Sequence, residues 1–120
     1  MDITQEVLDR ALIFLGGTVS DKGRERLTLL CRLAVDELES RLRRGEDIIA
    51  LGERFTGAAG VLALSMYAAL GDEDFSSVKI GSITVKRRDG NFTDNLRSLA
   101  EELLAGCLYE RGFDFRGVMG

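Results

Sequence analysis

The stretch TGAAGVLALSMYAALG, residues 56–71, contains no charged residue, and apolar or small side chains cover every face at helical spacing. A helix that is apolar all round has to be buried on all sides. The stretch is too short to cross a bilayer, which takes roughly 18 or more apolar residues. We therefore expect it to be the central helix of a small mainly α bundle of about four helices. Its small residues let neighbouring backbones approach closely: Gly57, Ala58, Gly60, Ala63, Ser65, Ala68 and Ala69.

The composition fits one soluble domain. The chain has 120 residues and a formal charge of −4, and a protein whose main task is to coat nucleic acid is usually basic. The start MDITQEVL has no basic region followed by an apolar segment, so we expect no signal peptide and a cytoplasmic origin. Proline is absent, and glycines are expected to end the helices.

Two amphipathic helices are predicted before the central one. The first covers residues 3–15 and ends at Gly16. The second covers residues 21–44, with Ser20 as its N-cap. Residues 45–55 form a connection with some helical character that Gly52 interrupts. The apolar stripe of the second helix has spacings of three and four: Leu27, Leu30, Cys31, Ala34, Val35, Leu38 and Leu42.

Residues 76–88 are the only strand-like segment. Val78 and Ile80 alternate with polar residues, and so do Ile83 and Val85, but the two alternations are out of phase across residues 81–82. A two-residue turn there, with glycine first as a type II′ turn prefers, restores one apolar face. We predict a short β-hairpin. Because an isolated hairpin is marginal in water, its apolar face has to lie on the helices or its edges have to pair with another chain.

Three clusters of charge have two interpretations each. Lys86, Arg87 and Arg88 either protect a strand edge or form a basic rim that meets DNA or an acidic neighbouring subunit. The arginines within residues 41–44 either complement the dipole of the second helix or contact an acidic partner or phosphate. In the acidic turn at residues 71–74, Asp72, Glu73 and Asp74 lack the ligand spacing of a calcium loop, which favours a solvated turn over a metal site.

The last helix is predicted to begin with Thr93 or Asp94 as its cap and to run to about Arg111, within a single domain of residues 1–112. The tail, residues 113–120, is apolar, whereas a disordered end is usually polar. It either packs back on the domain or is an extended peptide offered to another protein, and alternate residues of such a peptide suit addition to a partner's sheet edge. Its apolar residues are Phe113, Phe115, Val118 and Met119.

No catalytic, cofactor-binding or metal-binding constellation is predicted. Histidine is absent, which removes the most common general base and metal ligand. There is no Gly-x-Ser-x-Gly elbow, no phosphate-binding loop of the Walker type and no paired cysteine motif. Cys31 and Cys107 lie within apolar helical repeats, and we expect both to be buried reduced thiols.

The order of these elements resembles the small head-tail connector (adaptor) proteins of long-tailed bacteriophages, the gp6-like family. The resemblance covers most of the chain as a pattern of small signatures, of which the hairpin and the ending GFDFRGVMG are the most specific. Its segments are CRLAVDELESRL at 31–42, FTGAAGVLALSMYAAL at 55–70, SSVKIGSITVKR at 76–87 and LAEELLAGCLYERGFDFRGVMG at 99–120.

The resemblance implies a non-enzymatic virion protein at the head-tail junction, made in the cytoplasm of a bacterial host. Such proteins form a homo-oligomeric ring, about a dozen subunits, below the portal protein. The ring extends the channel for double-stranded DNA, which passes without sequence-specific binding, and offers a surface to the next tail-completion protein. No membrane is involved. The hypothesis for the tail is that Phe113, Phe115, Val118 and Met119 dock on the portal.

The alternative is a small helical regulatory or partner-binding module, including a dimeric one. A DNA-binding version needs a helix-turn-helix with a basic recognition helix. The second predicted helix carries arginines, but acidic residues balance them. The alternative accounts for neither the hairpin nor the apolar tail.

Overall fold

The computed structural model describes residues 3–16, 18–70 and 75–108. The predicted fold class is confirmed: the protein is mainly α, with a bundle around a buried central helix and a β-hairpin before the last helix. The elements are α1 (Ile3–Phe14), α2 (Asp21–Arg41), α3 (Ile48–Leu51), α4 (Glu53–Ala69), β1 (Ser77–Ile80), β2 (Ile83–Lys86), a 3₁₀ turn (Arg87–Asp89) and α5 (Phe92–Leu103).

α4 is the central helix, and residues 55–65 are buried without interruption. α1, α2 and α5 all pack against it. At Gly60 an added Cβ would lie 3.3 Å from the Ala11 nitrogen and 3.4 Å from the Val7 oxygen, so the small residue brings α1 and α4 into close backbone contact. α4 begins three residues earlier than predicted, because Gly52, at φ +56°, separates it from the short α3.

The predicted start of α2 is confirmed and its predicted end is wrong. The Ser20 hydroxyl accepts a hydrogen bond from the Gly23 N–H at 3.0 Å. The helix ends at Arg41 because Leu42 is extended and forms an antiparallel bridge with Leu108. A tertiary contact with the far end of the described chain therefore ends this helix.

The hairpin has the predicted strands and turn, and Val78 pairs with Val85. Gly81 has φ +59°, whereas Ser82 is not among the residues with positive φ, as a type II′ turn requires. The outer side of β1 is covered by the end of α1, where the Gly16 N–H donates to the Ser77 carbonyl at 2.9 Å. Among the described residues, the outer edge of β2 has no backbone partner.

The start of α5 differs from the prediction. Thr93 and Asp94 lie inside the first turn, so neither is the cap. Asn91 occupies the N-cap position with φ 51°, a left-handed conformation that Asn adopts more readily than most residues.

The end of α5 also differs, since the helix stops at Leu103 instead of about Arg111. Arg54, on α4, donates to the Leu103 carbonyl at 3.1 Å and to the Ala105 carbonyl at 3.3 Å. Gly106 then turns the chain with φ +84°. The predicted boundary at residue 112, the tail at 113–120 and the acidic turn at 71–74 lie outside the described residues.

Candidate docking surfaces

Two residues of the predicted basic rim lie on the surface of the hairpin. Lys86 and Arg88 are exposed and share a shallow hollow with Ser76 and Ser77. The two cations and two hydroxyls are groups that donate hydrogen bonds to carboxylate or phosphate oxygens. This hollow is the hairpin rim.

The third predicted rim residue, Arg87, is half-buried and contacts the domain itself. Its Nε and Nη2 atoms donate to the Phe75 carbonyl at 3.4 and 3.3 Å. The guanidinium carbon lies 4.8 Å from the centre of the Phe92 ring, within the range of a cation–π contact. Phe75 also stacks on Tyr67 of α4 at 5.8 Å between ring centres. Arg87 therefore attaches the hairpin to the bundle, and the rim consists of Lys86 and Arg88.

The arginines at the end of α2 hold neighbouring segments in place. Arg41 forms an ion pair with Glu101 of α5 at 2.9 Å. Arg97 of α5 forms another with Glu37 of α2, also at 2.9 Å. These two pairs join α2 to α5, so part of the predicted arginine cluster serves the fold directly.

Arg43 fixes the last described residues. Its backbone N–H donates to the Cys107 carbonyl at 2.8 Å, and its Nε donates to the Leu108 carbonyl at 3.1 Å. Together with the bridge between Leu42 and Leu108, these bonds hold the chain up to Leu108 firmly against the end of α2. The chain that follows therefore starts from a defined place on the domain.

An open groove of about 770 Å³ lies between α1 and the α3–α4 corner. Two large aliphatic side chains line it and are strongly exposed: Ile13 at 71% and Ile49 at 87%. Its charged residues are the three carboxylates of Glu6, Asp9 and Glu53 and the single guanidinium of Arg10, which forms an ion pair with Glu53. We call this the α1–α3 groove.

The outer face of α2 carries a second exposed apolar pair. Leu29 and Leu33 are 61% and 55% exposed and lie one helical turn apart, so they form one ridge. We call this the α2 ridge. Sequence analysis did not find it, although a signal was present, because both leucines fall outside the apolar stripe that predicts the buried face.

The described residues contain no group of three or more His, Cys, Asp and Glu side chains that could hold a metal ion. Cys31 and Cys107 are buried and unpaired, as expected, and burial raises the pKa of the Cys31 thiol to about 12. A thiol protonated at neutral pH is a poor nucleophile. No helix within the described ranges is long and apolar enough to cross a membrane.

Comparison of the chain with protein-family models, with curated proteins and with solved structures produced no match. The head-tail connector family is therefore a resemblance in the sequence alone.

Proposed function

We propose that this protein is a structural head-tail connector, which forms a ring below a phage portal, extends the channel for DNA and joins head to tail without catalysing a reaction. The observation that carries the proposal is the anchoring of Leu108 by Leu42 and Arg43. It gives the segment that follows, which carries the four apolar side chains of the tail at 113–120, a fixed origin on the domain. Such an anchor favours docking of the segment, because a fixed origin reduces the entropy lost on binding.

The hairpin supports the same function. The outer edge of β2 is open among the described residues, and Ile83 at its turn is 46% exposed. An open strand edge is a template for pairing with another chain. Arg87 holds the hairpin rigidly on the bundle, while Lys86 and Arg88 present positive charge beside the open edge. We propose that this rim meets an acidic neighbouring subunit or the DNA in the channel.

The net charge of the chain suits the wall of a channel through which DNA passes. At a formal charge of −4, a ring of such subunits repels the phosphate backbone on average, so DNA passes without being held. The positive rim is confined to two residues, which is too few for tight binding to a duplex.

The experiment is removal of residues 113–120 followed by binding to the portal protein encoded in the same genome. We expect the truncated chain to retain the circular dichroism and melting curve of the full chain but to lose portal binding. A second variant is the full-length chain with Phe113→Ser, Phe115→Ser, Val118→Ser and Met119→Ser. It keeps the length of the tail and removes only its apolar side chains. Unchanged portal binding by both variants would refute the role of the tail.

A second candidate, a dimeric partner-binding or regulatory module, is favoured by one observation, the exposed pair Leu29 and Leu33 on α2. In a twofold dimer the same patch meets itself. Tight, salt-sensitive binding to duplex DNA at low salt would favour a DNA-binding regulator, whereas the connector is expected to bind duplex DNA weakly.

A further inference from the structure

We infer that the tail of one copy of this chain adds as a third strand to the open edge of β2 in a second copy. The donor is the stretch around Phe113 and Phe115, and the acceptor is the outer edge of β2. This inference goes beyond the proposed function, because it gives the tail a partner among copies of the chain itself, in the absence of a portal.

The backbone of β2 presents two open positions at its outer edge. In an antiparallel pair, residues that bond to the partner strand alternate with residues whose backbone groups point away from it. The Arg87 N–H donates to the Ser76 carbonyl at 2.8 Å, so the alternation assigns the backbone of Val85 to β1 and that of Thr84 and Lys86 to the outer edge. No backbone group within the described residues pairs with this edge. The outer edge of β1 is covered by the end of α1, so the sheet can grow on the β2 side.

The side chains of β2 divide into an apolar face and a polar face. Val85 pairs with the fully buried Val78 and therefore faces the bundle. Ile83 lies on the same face and is still 46% exposed. Thr84 and Lys86 are exposed on the other face. An added strand therefore needs apolar side chains on the bundle side and a carboxylate beside Lys86 on the outer side.

The first half of the tail has this alternation. In an extended chain Phe113 and Phe115 lie on one face, and Asp114 and Arg116 lie on the other. The tail therefore offers one aromatic face, which can cover the exposed apolar end of β2, and one polar face with a single carboxylate and a single guanidinium.

One register joins the two patterns. With the tail antiparallel to β2 and Asp114 opposite Lys86, Phe115 lies on the bundle side and Arg116 lies beside an uncharged residue of β2. A parallel register with the same pair of charges would instead bring Arg116 towards Arg88. Lysine at an open edge usually discourages pairing, but with a carboxylate opposite it the same lysine selects this strand over others.

The positions of donor and acceptor favour a second copy over the same chain. The hairpin lies at the start of α5, where Arg87 contacts Phe92, whereas the tail follows the anchor at Leu108, beyond the end of α5. A twelve-residue helix is about 18 Å long, and the chain from Leu108 to Phe113 spans about 17 Å when fully extended. The tail would have to run straight along the whole of α5 to reach its own β2. A donor and an acceptor at opposite ends of the domain make a heterologous contact, which repeats from copy to copy.

The test is amide hydrogen exchange of the isolated full-length chain, read residue by residue by NMR at a low and a high protein concentration. The Thr84 and Lys86 amides lie at the open edge, whereas the Val85 amide pairs with β1 and serves as the internal reference. We expect the protection of the Thr84 and Lys86 amides to rise about tenfold at the high concentration, while that of Val85 changes little.

Two double variants of the tail provide matched controls. Phe113→Ser with Phe115→Ser removes the aromatic face and should abolish the rise, whereas Val118→Ser with Met119→Ser, beyond the paired stretch, should preserve it. The inference would be overturned by no rise in the unaltered chain, or by a rise that survives the loss of both phenylalanines. It would also be overturned by protection that is equal at both concentrations and is lost with the phenylalanines, because that result places the tail on its own hairpin.

Charge exchange provides a second measurement. Lys86→Glu alone and Asp114→Lys alone each place like charges opposite one another and should lose the rise. A mixture of these two variants pairs opposite charges in both directions and should restore it; no recovery in the mixture would overturn the inference. Circular dichroism verifies that every variant is folded.

Both measurements use the isolated chain and are therefore independent of the portal. A concentration-dependent rise without portal binding would refute the connector function and leave the strand addition standing. Portal binding without the rise would overturn the strand addition and leave the connector function standing.

Discussion

Replacing Gly60 by alanine tests the close contact between α1 and α4 on which the fold depends. Its Cβ would lie 3.3 Å from the Ala11 nitrogen and 3.5 Å from the Arg10 Cβ. The nearest obstacle is backbone, which moves only if α1 moves. Overpacking of this kind costs about 1–3 kcal/mol, whereas alanine gains about 1 kcal/mol over glycine inside a helix. We expect Gly60→Ala to lower the free energy of unfolding by about 0–2 kcal/mol.

Gly57 supplies the matched control on the same helix. There an added Cβ would meet only the Phe14 ring, at 4.0 Å, which is an ordinary van der Waals contact. Gly57→Ala should therefore gain about 0.5–1 kcal/mol from helix propensity alone. The two variants differ by the packing cost at residue 60, about 1–3 kcal/mol.

The assay is urea unfolding followed by circular dichroism at 222 nm, with thermal melts as a second reading. For a chain of this size, 1 kcal/mol shifts the melting temperature by about 4 °C. Gly60→Val should cost about 3 kcal/mol, because its branched side chain needs still more room. If Gly60→Ala stabilised the protein as much as Gly57→Ala does, α1 would not approach α4 as closely as described.

Three further predictions concern single side chains. Arg87→Met should lower the free energy of unfolding by about 1–3 kcal/mol, because it removes the hydrogen bonds to Phe75 and the contact with the Phe92 ring; Arg88→Met, at an exposed position, should change it by about 0.5 kcal/mol or less in urea unfolding. Cys31 should not react with a thiol reagent at pH 8 until the chain unfolds. Because burial raises its pKa from 9.0 to about 12, its contribution to stability is present below pH 9 and is lost as the pH rises towards 12, so Cys31→Ala should flatten the decline of stability over that range. Arg54→Met should destabilise the protein by about 0.5–1.5 kcal/mol, because it removes two hydrogen bonds to the carbonyls at the end of α5 at positions where water can replace the lost donor, and amide hydrogen exchange should be faster there.

The buried helix and the hairpin were predictable because their signals are local. An uncharged run of small and aliphatic residues has no face that suits water, and the break in alternation at Gly81 has one simple solution, a two-residue turn. Ser20 acts within its own helix turn, so its role as N-cap was predictable too.

The features that sequence analysis missed depend on contacts between segments that are distant in the sequence. The pairing of Leu42 with Leu108 shortens α2, and Arg54 donates hydrogen bonds to the carbonyls at the end of α5. Helical periodicity continues through both sites, so it gives no sign of either stop. Arg87 follows the same rule, because its partners Phe75 and Phe92 lie on either side of the hairpin and meet only in the fold.

The candidate surfaces were only partly predictable. The basic rim was predicted from three consecutive cations. One of them, Arg87, instead contacts the Phe75 carbonyl and the Phe92 ring. The α2 ridge and the α1–α3 groove depend on which faces the bundle leaves uncovered. The signal for the ridge was two leucines outside the helical stripe.

The central claim is that this chain assembles on a portal, and electron microscopy of the purified protein mixed with the portal protein of the same genome tests it most directly. We predict a closed ring of copies on one end of the portal, with an open channel along the axis and no such ring when residues 113–120 are removed. Portals that remain bare at saturating concentrations of the folded, full-length chain would contradict the claim.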